Sequence, residues 1–340
     1  MTGAVHKEIS VKIPDTPESM AGQKLMVGFD GMDFSADLEH LIATVGVGGV
    51  ILFSRNVRDP DQLGRLCGMI QQCAAGCDQP PLFIAVDQEG GEVARLKEPF
   101  TVFPGNDHIT TEKAAAGFAR TVAYELASVG INMNMAPVLD VAFLPETSIV
   151  MHRSFGADPA QVGCLGCEVI RHLQAGGIMA VGKHFPGIGR TELDSHAVRP
   201  ALDLGLEALE GDLRPFRMAI DAGVAGIMLS HILYTRLDPH LPASLSPAIV
   251  EMLRSDLGFT GLIITDDLDM GAIRNHDAIE SAVRRVMATD VDITLICHRS
   301  PDMETARDVM ASCMAADDNV RQAAAASVER ILSLKRRYLE

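Results

Sequence analysis

The stretch Ile178-Met179-Ala180-Val181-Gly182-Lys183-His184-Phe185-Pro186-Gly187-Ile188-Gly189-Arg190-Thr191-Glu192-Leu193-Asp194-Ser195-His196 decides how the chain is read. Its first four residues are continuously apolar, the pattern of a strand buried on both faces. Lys183 and His184 stand where that strand ends. Pro186, Gly187 and Gly189 forbid a continued strand or helix and force a shaped loop, in which the two glycines read as hinges. The loop then presents Asp194 and His196, two residues apart. A carboxylate beside an imidazole fixes its tautomer and stabilises its cation, which makes a general acid/base. Each residue alone reads as a solvated strand end or a turn cap. Cation, imidazole, glycine-rich loop, carboxylate and imidazole at one strand terminus point to chemistry.

Seven more apolar runs resemble 178–181: residues 25–29, 47–53, 82–86, 131–136, 226–229, 262–265 and 293–297. Most are separated by stretches of helical character. Asp158-Pro159 reads as an N-cap followed by proline at the first helical position, and Gly176-Gly177 closes that helix. Residues 111–129 carry helical periodicity and stop at Gly130, a typical residue just past a helix end. Ser246-Pro247 opens another helix, and an Ala-rich helix is expected over 319–338, with basic residues near its end. Eight strand–helix alternations without a linker or low-complexity segment predict an α/β fold: one (β/α)₈ TIM-type barrel spanning residues 1–340 as a single domain. A doubly wound sheet is the alternative, but no G-x-G-x-x-G follows the first run.

Composition narrows the function. The 340 residues are 47% hydrophobic, enough for a large core, and the formal net charge is −16. That balance argues against nucleic-acid binding, which usually shows a basic face. With no Trp and three Tyr, aromatic stacking is not expected to dominate a sugar site. No apolar run approaches the roughly 20 residues needed to span a bilayer, and the first residues lack a signal-peptide core. Seven cysteines suit a reducing compartment better than a disulfide framework. The expectation is a soluble, cytoplasmic protein with no membrane partner. Cys164/Cys167 and Cys73/Cys77 fall in helical stretches and read as small apolar residues rather than zinc ligands.

In a barrel, chemistry gathers at the C-terminal ends of the strands. Asp87-Gln88-Glu89-Gly90-Gly91 follows the third run, and Asp140 and Arg153 follow the fourth. Ser230-His231, Asp266-Asp267 and His298 follow the last three. Adjacent strand residues point to opposite faces, so one of Asp266 and Asp267 is expected to face the mouth. A carboxylate facing His196 across a pocket suits glycosyl transfer through a covalent intermediate. A cap at the start of the next helix is the ordinary reading of the Asp pair. A metal site built from Asp87, His184, His196, His231 and Asp266 is a competing reading, but no H-x-H or H-E-x-x-H motif supports it. The expectation is no metal and no cofactor.

These residues also carry a family resemblance. Residues 183–196 resemble the K-H-F-P-G-H-G-x-x-x-x-D-S-H signature of family 3 glycoside hydrolases, in particular the single-domain bacterial β-N-acetylhexosaminidases. Asp87–Gly91 is similar to D-Q-E-G-G, Arg153-Ser154-Phe155-Gly156 to R-S-F-G, and Thr265-Asp266-Asp267-Leu268 to S-D-D-L. Residues 131–140 resemble the family's fourth strand, and Ser230-His231 sits in a similar sixth-strand segment. The resemblance runs over most of the chain.

It implies Asp266 as nucleophile, His196 as acid/base and Asp194 as its partner. It implies Asp87, Arg95, Arg153, Lys183 and His184 as groups that hold the hydroxyls of a terminal N-acetylglucosamine. It further implies N-acetylglucosamine-containing muropeptides from peptidoglycan turnover as the carbohydrate substrate, and no metal. Three departures bear on loop structure and substrate detail. Ile188 replaces the second His of the signature, Glu92 stands where many members carry Arg, and Pro104-Gly105-Asn106-Asp107-His108 differs from the usual F-P-x-x-M-A-L. The reading is an exo-acting retaining β-N-acetylglucosaminidase. A phosphorylase of the same glycoside, or a non-catalytic sugar-binding barrel, are the alternatives. Aglycone preference and oligomeric state are not legible in the sequence.

Overall fold

A computed structural model describes residues 14–144, 146–193 and 199–339. Asp194 and His196 lie outside the described residues. Eight parallel strands close into a barrel: β1 Leu25–Val27, β2 Gly49–Leu52, β3 Phe83–Val86, β4 Met133–Asn134, β5 Met179–Phe185, β6 Gly226–Leu229, β7 Leu262–Asp267 and β8 Ile293–Ile296. Each pairs with its sequence neighbours, and β1 pairs with both β2 and β8, which completes the ring. The fold is the expected (β/α)₈ barrel. Each of the eight apolar runs supplies one strand, and β4 is the shortest of them relative to its run. There Pro137 has no N–H to extend the ladder, although Val138 still bridges to Lys183.

The helices start where the sequence places caps. The side chains of Asp59, Thr111, Asp158 and Ser246 each accept a hydrogen bond from a backbone N–H in the first turn of the following helix, satisfying donors that the helix cannot pair internally. The helix expected over 111–129 is Glu112–Ser128, followed by Gly130 at φ +81°, a left-handed position that favours glycine. The last helix spans Asp318–Leu339. The cysteine pairs lie on helices or at a helix end, and all seven cysteines are free. Among the described residues no helix is long and apolar enough to cross a membrane.

The apolar residues separate into two clusters. One fills the shell between strands and helices. The other fills the barrel interior, with Met26, Ile51, Phe83, Met133, Met179, Val181, Met228, Ile264 and Leu295 among its members. The last helix closes the bottom of this interior. Ile331 belongs to the interior cluster, and Leu334 and Tyr338 pack against it. One turn after Ile331, the buried Lys335 donates from Nζ to Gln23 Oε1 at 2.8 Å and sits 5.2 Å from the centroid of the Phe83 ring. Burial pushes its pKa down to about 7. The open end is therefore the C-terminal end of the strands.

Candidate active site

A cavity of about 310 Å³ opens there. Its floor is the top of the interior cluster, through Ile51, Met228, Leu295 and Cys297. One wall is a chain of alternating charges, buried at Lys183 and Glu89 and half-buried at Asp87, Arg95 and Arg153. Lys183, at the end of β5, reaches Asp87 Oδ1 at 2.7 Å and Glu89 Oε1 at 2.6 Å. Arg153 donates to both Glu89 oxygens at 2.9 Å, and Arg95 to Asp87 Oδ2 at 3.2 Å. Arg153 also donates to His184 Nε2 at 3.4 Å, while His184 Nδ1 lies 2.7 Å from Asp140 Oδ2. The carboxylate thus takes the Nδ1 proton and leaves Nε2 as the acceptor, which sets the tautomer.

Burial alone would raise the pKa of Asp87, but Lys183 and Arg95 outweigh it and hold the carboxyl far below its ordinary value. Burial likewise opposes ionisation of Glu89, yet Lys183 and Arg153 bring its pKa down to about 2. Burial also works against a charged Lys183, and Asp87 with Glu89 reverses that and raises its pKa. Asp87, Glu89, Arg153 and Lys183 stay ionised because each has an opposite partner. Such fixed donors and acceptors suit the hydroxyls of a sugar ring.

Asp266 and Asp267 end β7, and both line the cavity. The simple alternation of faces does not hold here, because the β7–β8 register shifts between Ile264 and Asp267. A bulge of this kind re-aims side chains at a strand end. The two carboxylates are separated by their bonding instead. Asp267 Oδ1 accepts backbone N–H groups of Asp269 and Cys297, each at 3.0 Å. It is buried, which raises its pKa to about 6. Asp266 is half-buried and accepts only from the adjacent Asp267 N–H, at 2.8 Å, among the described residues. Asp267 is thus a structural tie, and Asp266 presents a carboxylate to the cavity. The buried His231 braces the same strand end, donating from Nε2 to the Asp267 carbonyl at 2.8 Å, with Nδ1 2.6 Å from Ser244 Oγ.

The loop around the two glycines expected as hinges is held at several points. Ile188 N–H donates to Asp140 Oδ1 at 2.9 Å, and Tyr234 Oη donates to Gly187 O at 2.7 Å. Arg190 pairs with Asp212 at 2.8 Å and lies over the Phe143 ring at 3.8 Å. A Cβ on Gly189 would sit 1.8 Å from the Val141 carbonyl oxygen, so this position needs glycine for close approach rather than for motion. Gly189→Ala is accordingly expected to shift the loop and lower turnover by on the order of 10²-fold while far-UV circular dichroism stays unchanged. Wild-type turnover in that variant would mean that the loop's seat does not set the acid/base geometry.

Of the sequence-predicted residues, Asp87, Arg95, Arg153, Lys183, His184 and Asp266 all line this one cavity, and Asp194 and His196 follow directly on its Leu193 border. Glu89 and Asp140, which hold the wall together, were not expected as site residues. Of the alternative metal set, His196 lies outside the described residues; Asp87 pairs with Lys183 and Arg95, His184 with Asp140, and His231 with Ser244 and the Asp267 carbonyl. Among the described residues, Asp267, Asp269 and His298 offer ligand atoms within 4.8 Å of one another. Asp269, however, already pairs with Arg274 at 3.1 Å and accepts the His298 N–H at 3.0 Å.

Comparison with known proteins fits this geometry. Residues 17–334 match the family described as "Glycosyl hydrolase family 3 N terminal domain". The beta-hexosaminidase of Nitrosomonas eutropha is 36% identical over 277 residues, 78% of this chain and 77% of that protein. A glycoside hydrolase family 3 beta-N-acetylglucosaminidase from Paenibacillus sp. superposes with a TM-score of 0.90 at 37% identity, over 95% of this chain and 62% of that one. NagZ from Neisseria gonorrhoeae, solved with N-trifluoroacetyl-D-glucosamine, superposes with a TM-score of 0.76 at 30% identity, over 91% and 98% of the two chains. With its barrel, its strand-end carboxylate and a family match over nearly its whole length, this chain belongs to glycoside hydrolase family 3 and is a glycoside hydrolase.

Proposed function

We propose that the chain is an exo-acting, retaining β-N-acetylglucosaminidase that removes terminal N-acetylglucosamine from peptidoglycan-derived muropeptides in the cytoplasm. The observation that carries this is the half-buried Asp266 carboxylate in a blind cavity faced by a wall of paired charges. The volume lies at the lower end of the roughly 300–1,000 Å³ of small-molecule sites, which favours one terminal sugar over an internal segment of a chain. Asp87, Arg95, Arg153, Lys183 and His184 orient the ring hydroxyls. Asp266 attacks the anomeric carbon as His196 gives its proton to the glycosidic oxygen, with Asp194 stabilising the imidazolium. His196 then takes a proton from the water that releases the sugar. The barrel carries the catalytic residues in this reading, and its seven free cysteines suit a reducing compartment.

The test compares His196→Ala and Asp194→Asn with wild type on N-acetylglucosaminides whose leaving groups span a range of basicity. Poor leaving groups need protonation, so His196→Ala is expected to lose about 10²–10⁴-fold on them. It should lose least in the first half-reaction of activated aryl glycosides, and Asp194→Asn should be milder throughout. Wild-type rates for His196→Ala on poor leaving groups would remove His196 from the mechanism. Adding phosphate and following sugar 1-phosphate in the products separates hydrolysis from phosphorolysis.

A further inference from the structure

The cavity has two unlike walls. Besides the ionic one, Ile149, Ile188, Leu193 and Ile232 give the cavity an aliphatic wall. It is built by the loops that follow β4 and β5, which hydrogen-bond to each other, and by Ile232 after β6. Ile149 N–H donates to Thr191 O at 3.1 Å, and Thr147 Oγ1 donates to Glu192 Oε1 at 2.7 Å. Leu193 N–H donates to Thr191 Oγ1 at 3.0 Å, so the hydroxyl of Thr191 is held in place, with its own O–H as the polar group beside this wall. Ile188, standing where the related signature has a histidine, leaves a further polar group out of it. At the lip Leu193 is 55% exposed, one of the few large apolar side chains so exposed among the described residues.

We propose that this wall is the leaving-group subsite and that it selects an aglycone carrying an aliphatic surface. The inference rests on the glycosidase reading above. The acid/base group must reach the glycosidic oxygen, so the residue just before Asp194, and the loop bonded to it, border the group that departs. An aliphatic substituent there removes Leu193 and Ile149 from water. The several hydroxyls of a second unsubstituted sugar would instead lose water against the four aliphatic side chains, with Thr191 Oγ1 the one hydroxyl beside them among the described lining residues.

An alkyl series tests this, because methyl, propyl and hexyl β-N-acetylglucosaminides have leaving groups of nearly equal basicity. A fully covered methylene adds about fourfold in affinity. On a half-open wall kcat/KM is expected to rise roughly tenfold from methyl to hexyl. Leu193→Asn, at an exposed position that leaves folding intact, should reduce the hexyl-to-methyl ratio, and Ile149→Asn/Leu193→Asn should bring it to within about twofold of unity. A flat wild-type series with the methyl glycoside hydrolysed would overturn the subsite and leave the glycosidase reading standing. So would diacetylchitobiose cleaved faster than the hexyl glycoside, or a ratio that both variants retain. If neither the alkyl series nor an aryl N-acetylglucosaminide is hydrolysed, the glycosidase reading fails and the subsite with it.

Discussion

Asp266→Ala is expected to lose at least about 10⁴-fold in turnover, the scale seen when a covalent nucleophile is removed, while remaining folded. The fold tolerates the change because Asp266 is half-buried and accepts only the N–H of the next residue among the described residues. Asp267→Asn should behave differently. Its remaining carbonyl oxygen can keep both the Asp269 and Cys297 amides. The wild-type carboxyl, raised by burial to about 6, is disfavoured in its ionised form. Because the folded value exceeds the unfolded one, the native state loses stability as pH rises from about 4 to 6. The asparagine variant escapes that loss, so it should gain about 2–3 kcal/mol over wild type well above pH 6 and nothing below pH 4. Steady-state kinetics with denaturant titrations at both pH values read the two effects separately. Near-normal turnover in Asp266→Ala, or labelling of Asp267 by a fluorinated glycosyl donor, would move the nucleophile.

Lys183→Met is the second large effect, and it falls on stability as well as activity. Lys183 is the only residue that contacts both Asp87 and Glu89 in the charge wall. Removing it leaves two buried carboxylates with one guanidinium each. Breaking a buried ion pair from one side costs roughly 3–5 kcal/mol, and the surviving partners Arg95 and Arg153 hold the loss to the lower part of that range. The pH dependence follows from the depressed pKa values of Asp87 and Glu89. Depressed carboxyls contribute stability that is full above their unfolded values near 4 and disappears as pH falls through the folded ones. Losing the lysine removes that contribution. The deficit should therefore be full at pH 7 and shrink below about pH 4, where the variant's carboxyls can protonate. Equal deficits in denaturation midpoints at both pH values would show that the lysine acts by packing alone.

The barrel was legible because continuous apolar runs report strands buried on both faces, and eight recurred. The ionic wall was legible in its cations and Asp87, but Glu89 and Asp140, though placed at strand ends, were given no role. Charge balance could have found Glu89. Lys183, Arg95 and Arg153 cannot be buried together against one carboxylate, and Glu89 lies two residues from Asp87. Asp140 had no such signal, since its partners, the amides of His184 and Ile188 and the His184 ring, lie more than forty residues away in sequence. The alternation rule failed at Asp266-Asp267 because a register shift is a property of two strands, and one strand's sequence does not contain it. Gly189 misled for a related reason. Glycine serves both freedom and close contact, and only the position of Val141 tells which applies.

The helix that stoppers the barrel bottom, with Ile331 in the interior and Lys335 over Phe83, also fixes the traffic of the reaction. A cavity with a packed floor has a single doorway. In the proposed sequence the aglycone must leave first, water must then enter past it, and the sugar departs last by the same route. The free monosaccharide therefore holds the place that the next substrate needs, and the two exclude one another. Whatever concentration of released sugar surrounds the enzyme becomes, through the plugged end of the barrel, a governor on its rate.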